Sequence, residues 1–90
     1  MTERREKLEI VRDILSAIYE KKGRIKPTHL LYKSNLAHNK LKIYLGDLIQ
    51  KELVKEENQD RSKMYLITEK GIKFLNEYKR VQEFMESFGL

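Results

Sequence analysis

The 90-residue sequence predicts a mainly α, α+β domain whose elements follow the order helix, strand, helix, helix, strand, strand, helix. Three observations carry this. Of four expected helices, the first, third and fourth repeat apolar residues at three- and four-residue spacing, the mark of helices with one buried face, and the short second carries Leu30 and Leu31 inward. Between the third and fourth, two β-favouring runs flank the polar segment 58–62, which predicts a hairpin. Gly23, Pro27 and the pair Ser34-Asn35 fall where helices should stop or start.

The first helix is expected over residues 3–22. Leu8, Val11, Leu15 and Ile18 form its stripe, widened by Ile10, Ile14 and Ala17. So broad a face suits a helix that touches both the domain core and another long helix. Thr2 is a candidate N-cap, with Glu3 and Glu6 in the first turn where the helix dipole favours acids. Lys21 and Lys22 close the last turn and Gly23 fits the C-cap. Arg24-Ile25-Lys26 alternates enough for a short strand. Pro27 holds the residue before it extended and suits the first turn of a helix to Lys33 or Ser34, with Leu30 and Leu31 inward. After the Ser34-Asn35 turn, pinned by Leu36, the third helix spans 38–51 and buries Leu41, Leu45, Leu48 and Ile49, with Tyr44 beside them.

A strand over 52–57, a polar turn over 58–62 and a strand over 63–67 follow. The expected tip carries Arg61 and Lys63 beside Asn58, Gln59 and Ser62. Thr68 N-caps the last helix, with Glu69 in its first turn, and the helix runs to about Ser87. Ile72 and Leu75 fit the core. Phe74, Tyr78, Val81, Met85 and Phe88 step by 4, 3, 4, 3, an a/d heptad seam of two heptads. Left alone these residues would form an exposed apolar patch, so the end of this helix is expected to be an interface with a second copy. The expected organisation is a domain over 1–75 and a dimerisation helix over 68–90, continuous with it.

Composition narrows the function. The formal net charge is +5 and the pI about 9.5, which suits a polyanionic partner. The basic excess sits in the middle of the chain. Residues 21–46 hold seven Lys or Arg, both histidines and no Asp or Glu, although the rest is dense in Glu. The face of the third helix opposite its buried residues carries Asn39, Lys42, Ile43, Gly46 and Gln50, with Lys40 at one side. Asn, Lys and Gln suit base edges and phosphates, and Ile suits a thymine methyl. The expected DNA-binding set is Arg24, Lys26, Tyr32, Lys33, Ser34, His38, Asn39, Lys40, Lys42, Ile43, Gly46, Arg61 and Lys63.

Enzyme signals are weak. No cysteine exists, and His29 and His38 fall on different helices with no signature for a zinc site. The four glycines are scattered, so no phosphate loop forms, and the serines lack a nucleophile context. No cofactor and no enzymatic activity are expected. No apolar run approaches a membrane span and the N-terminus lacks a signal-peptide core, so a cytoplasmic, nucleoid-associated location is expected.

The segments Tyr32-Lys33-Ser34-Asn35-Leu36, Leu45-x-x-Leu48-Ile49 with Lys51-x-Leu53-Val54, and Tyr65-x-Ile67-Thr68-Glu69-Lys70-Gly71 resemble those of small archaeal winged helix-turn-helix regulators. Over about residues 8–88 the chain is most similar to the Sulfolobus-type dimeric chromatin proteins. The resemblance implies a winged helix-turn-helix that dimerises through an antiparallel coiled coil of its last helix. It also implies that the helix from His38 enters the major groove of double-stranded DNA and that the hairpin is a wing on phosphates or the minor groove. Ala37 departs from the pattern, because a Ser there would N-cap the third helix. Either Ser34 or Asn35 closes the turn differently or the first turn frays. A winged-helix module that docks an acidic protein instead of DNA is the alternative reading.

Overall fold

The computed structural model describes residues 3–90, with side chains from Glu6 onward. The Thr2 cap and the Glu3 side chain lie outside the described residues. The elements are α1 (Glu3–Glu20), β1 (Arg24–Ile25), α2 (Pro27–Ser34), α3 (His38–Gln50), β2 (Val54–Gln59), β3 (Ser62–Ile67) and α4 (Glu69–Glu86). Their order is the expected one.

One core serves all of them. Val11, Ile14, Leu15, Ala17 and Ile18 of α1 meet Ile25, Leu30, Leu41, Leu45, Leu48 and Val54, and all are buried. Removing such side chains from water is the main driving term, roughly 1.5–3 kcal/mol for each large one. Ile25 of β1 is 1% exposed, so even this two-residue strand is anchored from one side. The three strands form an antiparallel sheet in the order β1-β3-β2.

The first helix ends two residues earlier than expected. Gly23 N–H donates to Ile18 O at 3.0 Å, with Lys22 at φ 63° and Gly23 at φ 87°, so Lys21 and Lys22 belong to the terminating turn. Gly23 O then accepts from Ile67 N–H at 3.0 Å, which ties that turn to β3.

The hairpin differs more. Strand β2 begins at Val54, not Glu52, because α3 closes with a left-handed Glu52 at φ 65°. Leu53 N–H donates back to Leu48 O at 2.9 Å, and Glu52 N–H to Ile49 O at 3.0 Å. Those two residues are consumed in satisfying the helix's orphan carbonyls. At the other end the ladder continues to the pair Gln59–Ser62. The connection is therefore only Asp60-Arg61, with Asp60 at φ 56°, a conformation that Asp tolerates in tight turns. Asn58, Gln59, Ser62 and Lys63 are strand residues and not part of an open tip.

Helix α4 starts as expected. Thr68 Oγ1 accepts from Gly71 N–H at 3.0 Å and its hydroxyl donates to Glu52 O at 2.7 Å. This locks the helix start to the end of α3 and the beginning of β2. Phe74, Leu75 and Tyr78 are half-buried, but every residue after Tyr78 is exposed. The molecule measures 49 × 25 × 22 Å, and α4, with 18 residues, spans about 27 Å.

Candidate nucleic-acid interface

Helix α3 builds the centre of the site. Its inward face is fixed by Leu41, Leu45 and Leu48. The 3.6-residue period therefore turns Asn39, Lys42, Ile43, Gly46 and Gln50 outward, and all five are exposed. Ile43 is 72% exposed, a large apolar side chain turned to solvent. The only acid on this helix is Asp47, which lies to one side with Lys51 and Lys7 at 3.0 and 4.0 Å.

The start of α3 answers the question raised by Ala37. Ala37 is the N-cap residue, extended at φ −64°, ψ 147°, and no side chain caps it. Leu41 N–H still donates to Ala37 O at 2.9 Å, so the first turn is formed. Asn35 takes the left-handed conformation at φ 58° and ends α2, and the Ser34 hydroxyl donates to Leu31 O at 3.2 Å. Neither residue closes the start of α3. Among the described residues, no side chain accepts from the first backbone N–H groups of α3, beside His38, Asn39 and Lys40.

Around α3 the structure gathers some expected residues and separates others. His38 and Lys42 share a groove with Lys63 and Tyr65 of β3, Pro27, Thr28 and Leu31 of α2, and Leu41 and Leu45 beneath. Among the described residues, no acid lines this groove. Tyr65 is half-buried there, and its phenol pKa is raised, chiefly by burial; Lys63 opposes the rise and Glu56 adds to it. Tyr32, 86% exposed, stands at the end of α2 with Lys33. Lys26 is the extended residue before α2. Arg61 forms half of the wing turn. Arg24 lies elsewhere. Strand alternation puts it on the sheet face opposite Ile25, where its guanidinium crosses β3 to Glu57 at 3.5 Å and Gln59 at 3.3 Å.

Thr28 and Tyr65 were not expected in the site. The period of two that puts Tyr65 on the face of Lys63 was available in the sequence. Its closeness to α3 was not.

Several of the cations are paired. Lys33 lies 3.6 Å from Glu20, Lys40 3.5 Å from Glu6, and Lys63 3.5 Å from Glu56. Among the described residues, Lys26, Lys42 and Arg61 make no ion pair.

A second surface lies along α4. Leu8 of α1, Phe74, Tyr78, Val81, Met85 and Leu90 line an open apolar groove. The Arg12 guanidinium sits over the Tyr78 ring, 5.4 Å from its centre, and covers one side of it. Further along, Phe84 packs on Phe88 with ring centres 5.1 Å apart, yet they are 63% and 67% exposed. Leu8, Phe84 and Leu90 extend the seam expected from Phe74, Tyr78, Val81, Met85 and Phe88. Among the described residues, no group of three His, Cys, Asp or Glu could hold a metal ion, and no helix is long and apolar enough to cross a membrane.

The family model of winged helix-turn-helix proteins matches residues 4–86. No curated protein sequence matches the chain. Among solved structures, the chain is similar to Sso10a-2, a DNA-binding protein from Sulfolobus solfataricus, with 24% identity and a TM-score of 0.73 over 91% of this chain and 86% of that one. AF1382 from Archaeoglobus fulgidus aligns at 20% identity and a TM-score of 0.69, over 86% and 87% of the two chains. MepR, a transcription regulator of the Staphylococcus aureus multidrug efflux pump MepA, aligns at 18% identity and a TM-score of 0.76. There the match covers 88% of this chain but 60% of MepR. At these identities the likenesses describe the fold.

Proposed function

The chain belongs to the winged helix-turn-helix family, and from that premise we propose that it binds double-stranded DNA as a homodimer, as a transcription regulator or a chromatin protein. The observation that carries this reading is the outer face of α3. It is exposed, free of acid, and made of residue types that meet bases and phosphates. A recognition helix presents its N-terminal half to the major groove. Here that half holds His38, Asn39, Lys40, Lys42 and Ile43. Asn39 would read a base edge, Ile43 a thymine methyl, and Lys40 and Lys42 would hold phosphates. Gly46 leaves room for close approach, since nothing lies within 4 Å of where its Cβ would be.

Lys33 and Tyr32 at the end of α2, the Asp60-Arg61 wing turn, and Lys63 would contact the backbone on either side. Lys26 would add charge at the start of α2. Arg24, on the far face of the sheet, would contribute to the field and not to a direct contact. Names of fold neighbours such as Sso10a-2, a DNA-binding protein, and MepR, a transcription regulator, support the choice of duplex DNA as ligand.

The dimer reading rests on α4. Val81, Phe84 and Met85 are exposed apolar residues of α4, Phe88 is exposed in the turn that follows it, and Leu8, Phe74 and Tyr78 continue the patch towards the domain. A second α4 laid along this groove would cover them. Two recognition helices would then bind in tandem and gain from effective concentration. Selection of bound sequences from a random duplex pool tests the assignment. An enriched motif supports a regulator, and tight binding without a motif supports a chromatin protein. No retained duplex at low salt refutes DNA binding.

A further inference from the structure

The cations around α3 are not bare. Lys40, Lys33 and Lys63 sit at three corners of the proposed DNA-binding surface, and each is held at 3.5–3.6 Å by its own carboxylate, from Glu6, Glu20 and Glu56. These acids come from three different segments: Glu6 and Glu20 from opposite ends of α1, and Glu56 from β2. The fold gains little from them. The pairs are substantially solvent-exposed, and such pairs contribute at most about 1 kcal/mol each. Their stronger effect is on what approaches from outside. A phosphate arriving at Lys40, Lys33 or Lys63 meets a neutral pair. To take the ammonium it must displace a carboxylate, which then stays within a Debye length of the DNA.

We propose that Glu6, Glu20 and Glu56 are an intramolecular counter-set that occupies the phosphate anchors of the winged helix and thereby limits the affinity and the salt dependence of duplex binding. The inference rests on the DNA-binding reading above and deepens it. It divides the cations into two groups. Lys26, Lys42 and Arg61, which make no ion pair among the described residues, are available to the first phosphates met. Lys33, Lys40 and Lys63 engage only by exchange of partners. The displaced carboxylates gather cations as the phosphates release them, so net counterion release per anchor falls below the usual value of about 0.9.

The test measures binding of a fixed duplex across a salt series for native protein, Glu6→Gln, Glu20→Gln, Glu56→Gln and the triple variant. Glu83→Gln is the control for net charge; Glu83 lies on exposed α4 and makes no ion pair among the described residues. Thermal melting shows that each variant is folded. One charge a few ångströms from a phosphate in water is worth roughly threefold in affinity. Each single variant should therefore bind about threefold more tightly. The triple variant should gain at least about tenfold and show a steeper salt slope, and the control should change by less than about twofold, since Glu83 holds none of the anchor lysines. A triple variant that binds no more tightly than Glu83→Gln, while native protein binds, overturns this proposal alone. Absence of duplex binding by native protein and all variants at low salt overturns the DNA-binding reading and this proposal with it.

Discussion

Two glycines should respond oppositely to the same substitution. Gly71 is buried in the first turn of α4. A Cβ there would lie 2.7 Å from Ile67 Cγ1 and would collide with the Leu53 carbonyl oxygen, a backbone atom at the entry to β2. Carbon atoms pack at about 3.5–4.0 Å, so Gly71→Ala must push α4 away from the sheet by about 1 Å. Overpacking of this kind costs about 1–3 kcal/mol. The shift also strains the Thr68 contacts, in which Oγ1 accepts from Gly71 N–H and Thr68 N–H donates to Leu53 O, at about 1 kcal/mol each. The better helix propensity of Ala returns about 1 kcal/mol. The net loss is about 2 kcal/mol, which for a chain of this size lowers Tm by about 10 °C. Gly46 sits mid-helix in α3, exposed, with nothing within 4 Å of its Cβ position. Gly46→Ala should gain about 1 kcal/mol and raise Tm by about 4–8 °C. Thermal unfolding followed by circular dichroism reads both. A Gly71→Ala variant as stable as the native chain would refute the packing of α4 on the Leu53 backbone.

Replacing both Lys40 and Lys42 by Ala should weaken duplex binding for every sequence and flatten the salt slope in a gel-shift or anisotropy titration; unchanged affinity would remove α3 from the interface. Replacing Tyr78 and Val81 by Glu should give monomers in light scattering and weaken DNA binding through lost bivalency, whereas a persistent dimer would place the seam elsewhere. Tyr65 sets an alkaline limit. Its raised pKa means that the unfolded chain loses this proton first as pH rises, so stability falls from about pH 10 upward. Tyr65→Phe should flatten that fall in urea melts taken across the alkaline range, and an unaltered profile would show that the phenol is solvated.

The order of elements was legible because periodicity and punctuation agree along the chain. Val11, Leu15 and Ile18 mark one helix, Leu41, Leu45 and Leu48 another, and Thr68 a start. Features that depend on non-glycine residues in left-handed conformations were not. Glu52 and Asp60 at positive φ delayed β2 and shortened the hairpin turn, and nothing in their identity announced the first of these. Of the candidate site, the exposed face of α3 followed from the helical period alone. The neighbours that frame it did not, because Thr28 reaches α3 through the packing of α2 on it and Tyr65 through the sheet. The ion pairs were least visible. Glu6 is remote from Lys40 in the chain, and only the fold brings α1 beside α3. Leu8 belonged to the expected stripe of α1, but the core stops at Val11 and leaves Leu8 43% exposed beside Phe74 and Tyr78. The width of that stripe anticipated contact with a second long helix.

The central claim is that the face of α3 and its flanking cations hold the phosphates of duplex DNA. The most direct measurement is the dependence of native-protein affinity for a duplex on salt concentration. The account predicts a log-linear fall whose slope corresponds to several phosphates, reduced in magnitude when Lys40 and Lys42 are replaced by Ala. An affinity that does not change with salt, or no duplex binding at low salt, would contradict it.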